Sequence, residues 1–196
     1  MTTTVTPGFA EAERAHAARL FWQAFSAKLG KVMGPEDKAL RFFEAALDPR
    51  FALVARDDDG RLLGLAGFKT EEGGLTDAGL RDLAQVYGWF GSLWRGLVLS
   101  VLERKLQPGV FQMDGIFVDT AARGQGVGTA LLDAVCAEAE ARGMREVQLD
   151  VIDTNPRARA LYERVGFKVI GEEETGPLRL IFGFRKATRM SRPVSR

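Results

Sequence analysis

The chain has 196 residues, 46% of them hydrophobic and 27% charged, with 27 Lys and Arg against 26 Asp and Glu for a net charge of +1. That balance describes a globular protein with one core and excludes a disordered acidic chain or a fibrous repeat; it also lacks the basic excess that drives duplex binding, so no nucleic-acid partner is expected. A single cysteine, Cys136, forbids an internal disulfide, and a single histidine, His16, leaves too few ligands for a zinc site, so no metal is expected.

The first ten residues, MTTTVTPGFA, lack the basic and apolar regions of a signal peptide. Ala15, Ala18, Phe21, Trp22, Phe25 and Leu29 recur at helical spacing, which predicts an amphipathic helix over 10–29 with His16 on its exposed side and a break at 31–34. Pro35 opens a second, shorter helix through Leu40, Phe43 and Leu47. Two apolar runs, 51–56 and 61–69, joined by Asp57-Asp58-Asp59-Gly60, read as a hairpin. Residues 76–87 and 89–106 read as two helices separated near Gly88, the second apolar around much of its circumference. Its most apolar stretch runs for about 14 residues and contains Arg95, whereas a membrane span needs roughly 20. No membrane partner is expected, and the location expected is cytoplasmic.

Phe111–Val118 reads as a strand and Thr129–Arg142 as a helix with Leu132, Val135, Cys136 and Ala139 facing inward, which makes Cys136 a small core residue. Glu146–Ile152 is a further strand, and Asn155-Pro156 starts a helix that ends near Val165. Residues 167–170 and 178–184 are expected as the last strands. The domain expected is a single one over 1–185 with a helical insertion at about 70–110, followed by a basic, flexible tail over 186–196.

The chemistry concentrates in 116–129, IFVDTAARGQGVGT, which runs from strand through a glycine loop into a helix. Gly124, Gly126 and Gly128 free successive backbone N–H groups to converge at a helix N-terminus, where they and the helix dipole stabilise an anion, most naturally a phosphate. A glycine turn with no ligand is the alternative. A P-loop would need Lys after its last glycine, and Thr129 follows Gly128 directly. A dinucleotide fingerprint needs GxGxxG; the spacing here is GxGxG, although Asp150 lies where a ribose-binding acid would stand. The pattern Arg/Gln-x-x-Gly-x-Gly/Ala is met at every constrained position by Arg123 to Gly128.

Downstream, Asn155, Ala158, Leu161, Tyr162, Gly166 and Phe167 form Asn-x-x-Ala-x-x-Leu-Tyr followed by Gly-Phe. On these two linked motifs the chain resembles the GNAT superfamily of acyl-CoA-dependent N-acyltransferases, most firmly from Met113 to Ile170. The resemblance implies an α/β (α+β) fold: a mixed, mostly antiparallel central sheet with helices on both faces and a splayed fourth and fifth strand. It implies acetyl-CoA as co-substrate, with pantetheine against the backbone of Ile116, Phe117 and Val118. The pyrophosphate would then lie in the loop made by Arg123, Gly124, Gln125, Gly126, Val127, Gly128 and Thr129, and Asn155 and Ala158 would meet the CoA arm.

By the same resemblance Tyr162 delivers a proton to the leaving thiolate. Asp114 is the expected acceptor of the amine proton, since strand alternation sets it on the side of Ile116 and Val118 if the strand is regular. Asp119, Glu71 and Glu72 are alternatives. The implied activity is transfer of an acetyl group from acetyl-CoA to a primary amine, on a small molecule or a peptide, by direct attack in a ternary complex. A non-catalytic acyl-CoA-binding or sensor module on the same fold is the alternative. The insertion would fill out the core, wall the acceptor site, or cover a homodimer surface around Trp89 and Trp94.

Overall fold

The computed structural model describes residues 3–76, 79–100 and 106–194. Among the described residues eight strands make one sheet: β1 (Thr4–Pro7), β2 (Ala52–Arg56), β3 (Leu62–Thr70), β4 (Gly73–Gly74), β5 (Val110–Val118), β6 (Glu146–Ile152), β7 (Lys168–Glu174) and β8 (Lys186–Pro193). Their order is β1-β2-β3-β5-β6-β8-β7, with β4 bonded to β3 off that path. β5 and β6 run parallel and the other pairs antiparallel, so the sheet is mixed and mostly antiparallel. The helices are α1 (Arg14–Met33), α2 (Glu36–Ala46), α3 (Leu80–Ser100), α4 (Val127–Ala141), α5 (Pro156–Arg164) and the single turn α6 (Arg179–Phe182).

The two faces can be followed along β5. Phe117 packs on Phe21 and Phe25 of α1, with ring centroids 5.1 and 5.3 Å away, and Phe21 continues to Phe43 of α2 at 4.5 Å. Its neighbour Ile116 points the other way, its Cδ1 reaching toward Gly128 of α4. Phe111 packs near Phe68 at 4.9 Å between ring centroids, and Arg142, which caps the end of α4, lies over the Phe68 ring. Alternation thus feeds an aromatic core under α1 and α2 and a second apolar layer under α4. Cys136 lies buried in that second layer, and burial pushes its thiol pKa up.

Several elements depart from the sequence reading. α1 runs on through Lys31 to Met33, and the chain breaks at Gly34 and Pro35 instead. His16 is half-buried, with Nε2 4.0 Å from Asp119, and burial holds its pKa down. The expected strand over 178–184 is a 3-10 turn leading into α6. The expected flexible tail contains β8, which lies between β6 and β7 and pairs with both. Its basic residues hid a period of two: Thr188 and Met190 are buried on one face, while Arg189 and Arg192 lie along the sheet and pair with Asp150 at 3.5 Å and Asp133 at 3.4 Å.

Between β3 and β5 the chain is helical over 80–100, broken at Gly88, whose φ of 70° and ψ of 166° end one helix and start the next. Residues 101–105, the end of the second expected helix, lie outside the described residues, as do 77–78 near the start of the first. Glycines bring the two parts together: a Cβ on Gly96 would stand 2.5 Å from Leu80, and one on Gly91 would stand 3.2 Å from the Tyr87 Cβ. Tyr87 donates its hydroxyl to the Met33 carbonyl, and burial pushes its pKa up to about 12.

Candidate functional site

The ladder between β5 and β6 covers only Val110–Gln112 against Glu146–Gln148. Beyond it the strands part, leaving an opening in the sheet from Met113 onward. On its other side β5 remains paired with β3, through Ala66↔Ile116, Leu65↔Phe117 and Gly64↔Val118. The Asp119 N–H donates to the Leu63 carbonyl at 2.8 Å, so the two-residue alternation of an antiparallel ladder commits Phe117 to β3 as well. The N–H and C=O groups of Ile116 and Val118 then turn toward the opening. Phe117 differs from its two neighbours: its backbone is spent on β3 and its ring on α1. Arg123 Nε donates to the Val118 carbonyl at 3.2 Å, leaving three backbone groups facing the opening.

The glycine loop follows. Gly124 and Gly126 have φ of 80° and 85°, the left-handed region that side chains rarely adopt, and Gly126 is the N-cap of α4. No side chain caps α4, so the first-turn N–H groups of Val127, Gly128 and Thr129 end at an exposed loop with the positive end of the helix dipole behind them. The loop is braced from within, since Gln125 Nε2 donates to the Ala121 carbonyl at 2.9 Å. Gly128 serves packing as well, because a Cβ there would lie 2.9 Å from Leu161 Cδ2 and its absence lets α5 approach α4. Ile116, Gly128 and Leu161 therefore tie together the end of β5, the loop and α5. That contact was not legible from the motifs, which treat the third glycine as part of the phosphate cradle.

Asn155 caps α5, its Oδ1 accepting from the Ala158 N–H at 3.2 Å, with Pro156 as first helical residue. Such a cap contributes about 1 kcal/mol. Ala158 enters through that N–H. Tyr162, beside Leu161 on α5, is buried against Phe167 at 6.0 Å between ring centroids, and burial drives its phenol pKa well above the usual tyrosine value. Of the chain's two tyrosines, Tyr87 is committed to Met33, whereas Tyr162 is carried by the helix that borders the opening.

Asp114 stands on a different side from the one a regular strand would give it. The β3–β5 register passes from Gly67↔Gly115 to Phe68↔Met113, which leaves Asp114 as the extra residue of a bulge. The alternation resets there, so Asp114 does not share a side with Ile116 and Val118; it stands with Gly115 on the α1 side, its Oδ2 3.5 Å from where a Cβ of Gly74 would be. Asp119 is engaged by the Ala121 N–H at 2.9 Å and lies near Arg61 and His16. Glu71 and Glu72 are exposed at the β3–β4 turn. A cavity of about 640 Å3 is lined by Val151, Asp153, Arg159 and Lys186 among others.

The acetyltransferase (GNAT) family profile matches residues 15–167. The mycothiol acetyltransferase of Propionibacterium freudenreichii is 30% identical over 141 residues, 72% of this chain but 35% of that protein. The peptidyl-lysine N-acetyltransferase YjaB of Escherichia coli is 36% identical over 104 residues, half of this chain and 65% of that one. The chain spans about a third or less of the mycothiol acetyltransferases it matches. Among solved structures, a histone acetyltransferase HPA2-related protein of Corynebacterium glutamicum aligns with a TM-score of 0.68 at 22% identity, over 100% of this chain and 98% of that one. A GCN5-related N-acetyltransferase of Kribbella flavida aligns at 0.64 and 22%, over 97% of each, and both likenesses speak to the fold. With the parted parallel pair, the uncapped glycine loop and the family match over most of its length, the chain belongs to the GNAT family of acetyltransferases.

Proposed function

We propose that the protein transfers an acetyl group from acetyl-CoA to a primary amine of a small molecule or peptide, by direct attack in a ternary complex. The observation that carries this reading is the opening beyond Gln112 and Gln148, whose unpaired β5 backbone leads into the uncapped N-terminus of α4. The residues present fit the donor. Ile116 and Val118 offer backbone groups to an extended amide chain, and the N–H groups of Val127, Gly128 and Thr129 offer donors to a diphosphate, with Gly124, Gln125 and Gly126 shaping the loop and Arg123 supplying charge. Asn155 and Ala158 set the start of α5 beside the same arm. Acetyl-CoA supplies the acyl group as a thioester and a thiolate as its leaving group.

The protein's share of the chemistry is proton management. An amine of pKa near ~10.4 is neutral in about one molecule in a thousand at pH 7, which costs roughly 4 to 5 kcal/mol to reverse. We assign the uptake of that proton to Asp114. The bulge sets it two residues past the last β5–β6 pair, on the α1 side, opposite the phosphate loop. An acceptor arriving from that side meets the carboxylate while the donor is held from the α4 side. Asp114→Asn is expected to lower kcat/KM by about 100-fold and to flatten the acidic limb of its pH profile, because only the ionised carboxylate accepts a proton. A variant that keeps the wild-type limb removes Asp114 from this role.

The activity is tested by free-thiol release from acetyl-CoA across polyamine, aminoglycoside, amino-acid and lysine-peptide acceptors, read beside the thermal shift caused by CoA. Ligand at 100 times its Kd stabilises a fold by about 2.7 kcal/mol, here roughly 5 to 10 °C. A shift with thiol release supports the enzyme. A shift with no release on any acceptor supports the alternative, a CoA-binding module, and no shift at all overturns both.

A further inference from the structure

The second part of α3 carries five large apolar side chains at 89, 90, 93, 94 and 97, the spacing of one helical stripe. Trp89, Phe90, Leu93, Trp94 and Leu97 are 65%, 92%, 54%, 43% and 73% exposed. At about 200 Å2 for a whole side chain of this size, those fractions amount to roughly 650 Å2, above the largest apolar patch of an ordinary monomer and close to the ~800 Å2 that each partner gives to a standard interface. The stripe is also free of charge. Arg95, the single charged residue between 89 and 100, is folded inward: its Nε donates to the Val32 carbonyl at 2.7 Å and its guanidinium lies between Tyr87 at 4.1 Å and Trp94 at 4.5 Å.

We propose that this stripe is a two-fold interface with a second copy of the chain. A neutral face has no charge pattern with which to select a different protein, and between 89 and 100 no basic side chain except the inward-folded Arg95 stands beside it to hold a helix on a membrane surface. Opposed to itself it brings no like charges together, and its composition, aromatic and depleted of charge, is that of an interface core. The spacing is self-complementary in antiparallel pairing. An axis midway between Leu93 and Trp94 sets Phe90 against the partner's Leu97 and Leu97 against the partner's Phe90, ring to aliphatic branch at both ends. The proposal does not rest on the acetyl-transfer reading, since the stripe includes none of the residues assigned to it.

Sedimentation equilibrium of the full chain tests it. The wild type is expected to sediment at twice the chain mass of 21.5 kDa. Phe90→Asp is expected to raise the dimer dissociation constant at least 100-fold while far-ultraviolet circular dichroism and the CoA-induced thermal shift stay as they were. Leu97→Asp tests the facing position with the same expectation. Leu180→Asp, at an equally exposed apolar residue outside the stripe, is expected to remain dimeric. A monomeric wild type overturns the proposal, whether or not it floats with lipid vesicles, and so does a dimer that Phe90→Asp and Leu97→Asp leave intact.

Discussion

Replacing Gly126 with Glu is expected to raise the dissociation constant of acetyl-CoA about 100-fold or more, which is roughly 2.7 kcal/mol of binding energy. Two effects add. Gly126 holds a φ of 85°, and a residue with a Cβ in that region costs about 1 to 2 kcal/mol, so the loop relaxes and its N–H groups no longer converge. The new carboxylate also stands at the mouth of α4, where the proposed ligand carries its own negative charge. Crowding contributes nothing, because no heavy atom lies within 4 Å of the added Cβ. Gly126→Ala therefore isolates the backbone share, and Gln125→Ala, which loses one exposed bond to Ala121, is expected to stay within about threefold of wild type. Isothermal titration decides the matter, and tight binding by Gly126→Glu removes the loop from the donor site.

Tyr162→Phe is expected to lower kcat by about 100-fold to 10,000-fold with acetyl-CoA affinity unchanged, the range for loss of a positioned proton donor. At first sight a buried phenol is a poor acid. Its pKa is raised by desolvation, while a free thiol has a reference value near ~8.5. The comparison that matters is between two groups in one place. A thiolate expelled into the same apolar surroundings suffers the same penalty on its charge, so its pKa rises too and the gap narrows. The raised tyrosine pKa then has a use, since the residue keeps its proton through the whole working pH range. The ring of Phe preserves the packing on Phe167, so a loss of turnover in that variant reports on the hydroxyl. Full turnover with unchanged affinity removes Tyr162 as the acid.

Local signals carried the sequence a long way. The glycine loop, the Asn155 cap, the hairpin around Asp57–Gly60 and the break at Gly88 are each set by residues within a few positions of one another, and each lies where the residues placed it. What failed depended on distant partners. The alternation of a regular strand sets Asp114 beside Ile116, whereas a bulge is fixed by the register with β3, a strand some 45 residues earlier. A motif gives Phe117 the same standing as its neighbours and says nothing of which backbone groups another strand takes. The charges of Lys186–Pro193 suggest a solvated tail, while the alternation of Thr188 and Met190 against Ala187 and Arg189 marks the strand. The parting of β5 and β6 came from the family resemblance alone, since nothing in either strand's composition stops the ladder at Gln112.

The place of β8 also bears on the order in which the molecule can be built. β7 is made before β8 yet has no other neighbour in the sheet, and β6 without β8 is held at its edge by three residue pairs with β5. During synthesis β6 and β7, joined through α5 with its Tyr162, therefore wait with strand edges uncovered for β8 to emerge and slot between them. Such late, long-range closure is slow and leaves the nascent chain open to mispairing. The wall of the opening that β6 makes thus depends for its outer support on a strand some 35 residues further along the chain.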